Sequence, residues 1–138
     1  MKKCSLLFAL VVVLFSCKPA AVVEPDFSAE TVGNWSLTYY STATGSSVLP
    51  SNGVTGFMQI KAVTKNSISS TFGFAQNGKV VSSSELPTLY LKLGIGKTEI
   101  YADSQTSPGN MLGFFQGNYL EITQTNNVGQ RVVIKAVK

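Results

Sequence analysis

Few side chains in this 138-residue chain can do chemistry. There is no histidine, and there are two cysteines, Cys4 and Cys17. Without an imidazole there is no Ser-His-Asp or Cys-His arrangement and no ready general base near neutral pH. A zinc site lacks its preferred ligands as well. Carboxylates remain. Glu85, Glu99, Asp103 and Glu121 are the side chains from which a two-carboxylate hydrolysis would be built. Glu99 and Glu121 alternate with core-type neighbours, which sends them to solvent, and Asp103 opens a Ser/Pro/Gly loop. Asp103 to Asn110 carries many oxygens but not the dense acidic spacing of a calcium loop. The expectation is a protein that is not an enzyme and has no cofactor and no metal site.

Cys17 points elsewhere. Lys2 and Lys3 precede an apolar run from Leu6 to Phe15, followed by Ser16 and Cys17. Ten apolar residues are too few to span a bilayer as a helix but suit a secretion signal. Leu14-Phe15-Ser16-Cys17 resembles the bacterial lipobox. That resemblance implies cleavage after Ser16 and acylation of Cys17 by palmitate-type chains, which would hold the protein on the membrane. With Cys4 discarded, Cys17 has no disulfide partner, and a lone free thiol would be a liability in an oxidising envelope. The implied address is the cell envelope, at the outer membrane, with its face left open: no acidic pair follows at positions 19 and 20.

Eleven basic and seven acidic residues give +4 overall; without Lys2 and Lys3 the balance is nine to seven. A near-neutral mature chain is no nucleic-acid binder working through a basic surface. The length suits one domain. The organisation expected is a signal peptide at 1–16, a lipidated tether and short helical turn at 17–32, and a β-barrel domain at 33–138. Pro19 and Pro25 mark the tether, Asp26 is placed to cap a helical turn, and Gly33 to close it.

Beyond residue 33 the pattern alternates with period two, as in half-buried antiparallel strands. Trp35, Leu37 and Tyr39 alternate with Ser36, Thr38 and Tyr40; Met58 and Ile60 with Gln59 and Lys61; Leu120 and Ile122 with Glu121 and Thr123; Val132, Ile134 and Ala136 with Arg131, Val133 and Lys135. Ile68, Ser70, Phe72 and Phe74 share one face. Asn77-Gly78 is a hairpin signal, since both central residues of a type I′ turn take positive φ. Strands are expected near 34–41, 54–63, 67–76, 79–85, 88–94, 97–102, 110–116, 118–125 and 130–137. Leu86, Leu89, Tyr90 and Leu93 also fit helical spacing, but a helix would strand Leu91 on its polar side, so strand is preferred. Such short connections allow hairpins and forbid crossover helices.

Gly33-Asn34-Trp35 at the start of the first strand resembles the Gly-x-Trp motif that opens lipocalins and their relatives. The closing pattern Gly117-Asn118-Tyr119-Leu120-Glu121-Ile122 is similar to that of lipocalin-like lipoproteins common in Bacteroidota. The resemblance implies an all-β fold: a single antiparallel up-and-down barrel of about eight to nine strands. It also implies that Trp35 plugs the closed end under a basic side chain from the last strand, with Arg131, or failing it Lys135, placed to supply it.

A barrel of this size can hold one small ligand or be filled by its own side chains. The lining expected for a small apolar ligand is Met58, Ile60, Phe72, Phe74, Leu91, Ile100 and Phe114. The alternative is an interaction protein of the envelope, a protease inhibitor or assembly subunit, with a filled barrel. The expected partners are therefore the membrane through Cys17, a small apolar ligand or an envelope protein, and no nucleic acid.

Overall fold

The computed structural model describes residues 23, 25–125 and 128–138. Cys17 and the segment expected to be a signal peptide lie outside the described residues, as does most of the expected tether. The chain opens with one helical turn, α1 (Ser28–Thr31), and continues as β1 (Gly33–Thr42), β2 (Gly45–Val48), β3 (Val54–Thr64), β4 (Ser67–Gln76) and β5 (Lys79–Leu93). It finishes with β6 (Thr98–Tyr101), a 3-10 turn (Pro108–Asn110), β7 (Met111–Gln116), β8 (Tyr119–Thr125) and β9 (Arg131–Val137).

All pairings are antiparallel between neighbours in order, and β1 pairs with β9. Eight strands thus close an up-and-down barrel, and β2 folds back beside the second half of β1 as an extra strand. The expected fold class is the observed one. The strand inventory differs in two places. Expected strands at 79–85 and 88–94 are one fifteen-residue strand, β5. Pro87 does not break it, because it falls where the β4–β5 register shifts between Ile68 and Ser70, and proline is tolerated at such irregularities. The short hairpin strand β2 carries no buried residue, so no alternation announced it.

Alternation placed most of the core. Trp35, Leu37, Met58, Ile60, Ile68, Leu89, Leu91, Ile100, Leu120, Ile122, Ile134 and Ala136 are buried together inside the barrel. The first strand departs from strict alternation. The β1–β9 register slips between Leu37 and Tyr39, and the extra residue of a bulge reverses the inward face beyond it. Tyr40, not Tyr39, packs against the core. Asn77 and Gly78 take φ of 50° and 79°, as the hairpin signal required.

The two ends of the barrel are built differently. One is closed by α1, which Asp26 caps by accepting from the backbone N–H of Ser28 at 3.1 Å and of Ala29 at 3.2 Å. The turn ends at Thr31, and Gly33 enters β1 with φ of +133°, a conformation that favours glycine. The other end, referred to below as the open end, is ringed by the turn at Asn77-Gly78 and the loop 102–110 and leaves Tyr40, Phe72 and Phe74 only partly buried.

Candidate functional site

The closed end is organised around Trp35. Its Nε1–H donates to the Thr31 carbonyl at 2.8 Å, and its ring meets that of Phe115 at 5.5 Å between centroids. The cation over the indole is the Lys138 ammonium, 5.7 Å from the ring centroid, which also donates to the Glu30 carbonyl at 3.1 Å. Arg131 and Lys135 are not the residues that fill this role. Arg131 begins β9 opposite Thr125, near the open end, while Lys135 pairs with Glu121.

The seven expected lining residues separate into three groups. Met58, Ile60 and Ile100 have at most 1% of their surface exposed and Leu91 has 3%. At that level no water-sized void touches them, so they pack against neighbours and the lower barrel is filled. Phe114 points outward, against expectation: it opposes Glu121, its ring lies 5.9 Å from Tyr119, and the Lys97 ammonium sits 5.0 Å from its centroid. Its neighbour Phe115 takes the inward position. Two adjacent aromatics leave the phase of a period-two strand undecided, and contact with Trp35 settles it.

Phe72 and Phe74 form the third group. They are half-buried and meet Tyr40 at 6.1 and 4.9 Å and each other at 6.4 Å. The Tyr40–Phe74 and Phe72–Phe74 pairs are edge-on, a favourable geometry for aromatic quadrupoles. Val54 and Leu112 also pack against the core as partly buried side chains. One step further in along β4, Ser70 is 4% exposed, and its Oγ finds no hydrogen-bond partner among the described residues. An orphaned buried hydroxyl costs ~1–3 kcal/mol. Ser70 pairs with Ile60 at the level of the filled lower barrel, beneath the aromatic cluster. Neither Tyr40 nor Ser70 stands out in the sequence as a site residue. The bulge hides the inward phase of the tyrosine, and one serine resembles any other in so serine-rich a chain.

A groove of about 780 Å³ lies on the outer face, lined by Tyr39, Thr42, Val48, Glu121, Arg131 and Lys135 among others. Here Tyr119 donates to Glu121 Oε2 at 2.7 Å, and the Lys135 ammonium approaches the same oxygen to 3.2 Å. The hydrogen bond from Tyr119, aided by Lys135, holds the Glu121 carboxyl below its ordinary range. Glu121 in turn raises Lys135. This is a satisfied surface network rather than a poised acid or base. Glu99 is likewise occupied, by the Tyr101 hydroxyl at 2.6 Å, and Asp103 accepts from Asn110 within its own loop.

No protein-family model matches the chain, and no curated protein does. Among solved structures, a redesigned β-barrel aligns with a TM-score of 0.50 at 12% identity, over 83% of this chain and 96% of that one. A de novo designed fluorescence-activating β-barrel aligns with a TM-score of 0.47 at 12% identity, over 83% and 99%. The first of these likenesses speaks to the fold alone: the chain is a closed antiparallel β-barrel.

Proposed function

We propose that the chain is a lipocalin-like lipoprotein of the cell envelope, anchored at the outer membrane through Cys17, whose barrel takes a small apolar ligand at its open mouth. The observation that carries the ligand is the half-buried Tyr40–Phe72–Phe74 cluster. Walls that are mainly apolar and aromatic are what small-molecule sites use. The filled lower barrel makes the site shallow and limits the ligand to part of the barrel's depth. The lipobox-like Leu14-Phe15-Ser16-Cys17 supports the address.

The test is titration with N-phenyl-1-naphthylamine, an uncharged apolar fluorophore, against the protein and its Phe74→Ser and Tyr40→Ser variants. Enhanced emission in the parent, weakened about tenfold or more in both variants, is the expected result. Absence of binding, or binding indifferent to the mouth, refutes the reading.

A second reading has its own support. On β5, β6 pairs only with Tyr90–Leu93, so among the described residues the first part of β5 has β4 on one side and no strand on the other, with Val80 and Val81 exposed. A free strand edge suits a protein partner that adds a strand. Such a partner would co-purify with the parent and be lost on Val81→Pro, while fluorophore binding would be absent throughout.

A further inference from the structure

The closed end carries a surface that neither the mouth nor the fold requires. The reversal after β5 reads Leu93-Gly94-Ile95-Gly96-Lys97. Ile95 is fully exposed and Leu93 is 63% exposed. A β-branched apolar residue between two glycines at a turn tip packs against nothing here and does not serve the turn itself, where polar residues are preferred.

Basic side chains surround it. Leu93, Gly96 and Lys97 line one pocket with Glu30 and Gly117. Lys138 donates to the Glu30 carbonyl and, through its backbone, to the Asn118 carbonyl. The Lys65 carbonyl accepts from Ser28 in α1. Lys92 precedes the tip on β5, and Lys61 lies on β3 before the Lys65–Asn66 reversal. Five of the eight basic side chains among the described residues thus gather here: Lys61, Lys65, Lys92, Lys97 and Lys138. Among the described residues the acidic groups at this end are Asp26, Glu30 and Glu99; Asp26 is turned onto α1, and Glu99 accepts from Tyr101 and lies opposite Lys92.

The N-terminal segment arrives at this same end. Phe27 packs against the core and Ser28 is fixed to Lys65. Eight residues lie between Cys17 and Asp26, and a chain spans at most ~3.3–3.6 Å per residue. An anchor at Cys17 would therefore keep the closed end within roughly 30 Å of the bilayer.

We infer that the closed end is a membrane-docking face: Leu93 and Ile95 enter the interfacial region of a bilayer rich in anionic phospholipid, and the surrounding lysines rest on its head groups. Apolar side chains ringed by lysines are the chemistry such a surface selects. The open mouth then faces away from the membrane. This rests on the proposed lipid anchor for the tethering, while the face itself is defined by the residues above.

The full chain, expressed with its leader, is reconstituted into vesicles of phosphatidylethanolamine and phosphatidylglycerol containing brominated lipid. Ile95→Trp reports the closed end and Lys79→Trp the open end; buried Trp35 is the constant background. The expected result is a blue shift and bromolipid quenching of the 95 tryptophan with none at 79. Lys61→Gln, Lys65→Gln and Lys92→Gln should weaken the effect roughly five-fold per lysine at low salt. Water-like emission at 95, equal quenching at both positions, or a shift that needs added envelope protein overturns the inference. Intact mass of the same sample reads the anchor separately. Acylation with a water-like 95 tryptophan defeats the docking face alone, and quenching at 95 without acylation defeats the anchor alone.

Discussion

Lys138 spans the closed end over Trp35, with its ammonium 5.7 Å from the indole centroid and 3.1 Å from the Glu30 carbonyl. One side chain thereby joins the end of the sheet, the plugging aromatic and the helical turn. Trp35→Ala should cost ~3–5 kcal/mol, the range for truncating a large buried aromatic. Lys138→Met should cost only about 0.5–1 kcal/mol, as for a cation–π contact at an exposed site. The two losses should be non-additive because they share a contact, whereas Arg131→Ala should be near neutral and additive with Trp35→Ala. Urea unfolding of the single and double variants checks this.

Phe114 and Phe115 separate outside from inside. Phe115→Ala should lose ~3–5 kcal/mol. Phe114→Ala gives up only surface contacts with Tyr119 and Lys97 and should lose about 1 kcal/mol. Equal losses in thermal or urea unfolding would contradict the assigned facing of β7.

Ser70→Ala removes the orphaned hydroxyl. Stability should rise by about 1 kcal/mol, part of the cost of leaving a buried polar group unpaired. Urea unfolding of the parent and the variant reads the gain; an unchanged or lower stability would contradict an unpaired hydroxyl at this position.

Gly113→Ala should disrupt the β7–β8 pairing. A Cβ at Gly113 would collide with the Glu121 carbonyl oxygen, and backbone cannot yield as a side-chain tip can. A loss of about 3 kcal/mol or more is expected, at the upper end of overpacking costs, with weakened hydrogen-exchange protection at Leu120 and Ile122.

Acid should destabilise the fold through named carboxylates. Glu121, held below its ordinary 4.5 chiefly by the Tyr119 hydroxyl, and Asp26, held below 3.8 chiefly by the Ser28 hydroxyl, have depressed folded values. Their contribution is present above the unfolded pKa and lost as pH falls through the folded one. Lys135 is raised above 10.5, chiefly by its hydrogen bond to Glu121. It contributes fully below that value and loses its contribution as pH rises through the folded one. Stability should be level between about pH 5 and 9 and fall on either side, and Glu121→Gln should flatten both flanks in a pH series of urea unfolding.

Alternation made most of the barrel legible. Met58, Ile60, Leu120, Ile122, Ile134 and Ala136 face inward as their spacing required, because a one-residue slip would send each of them to solvent. The mouth was less legible. The bulge at Thr38 has no glycine to mark it, so strict alternation sends Tyr40 to the surface. The Phe114-Phe115 pair left its phase to tertiary contact with Trp35. The cation over the indole lies beyond the last strand, where period-two reasoning does not reach. Phe72 and Phe74 are among the expected lining residues, but alternation does not give their depth, which depends on how completely Met58, Ile60 and Ile100 fill the space beneath.

The β1–β9 seam sets Ser36 against Val137, residues about a hundred positions apart, and its consequence is kinetic. Bringing such distant segments together pays loop-closure entropy before any contact repays it. Until β9 has been synthesised and has joined, β1 and β8 both present bare edges, so the cylinder cannot complete itself from a partial chain. A polypeptide emerging N-terminus first therefore stays unlocked until β9 arrives. A chain truncated before Arg131 should expose two complementary edges, which favours pairing between molecules over folding within one.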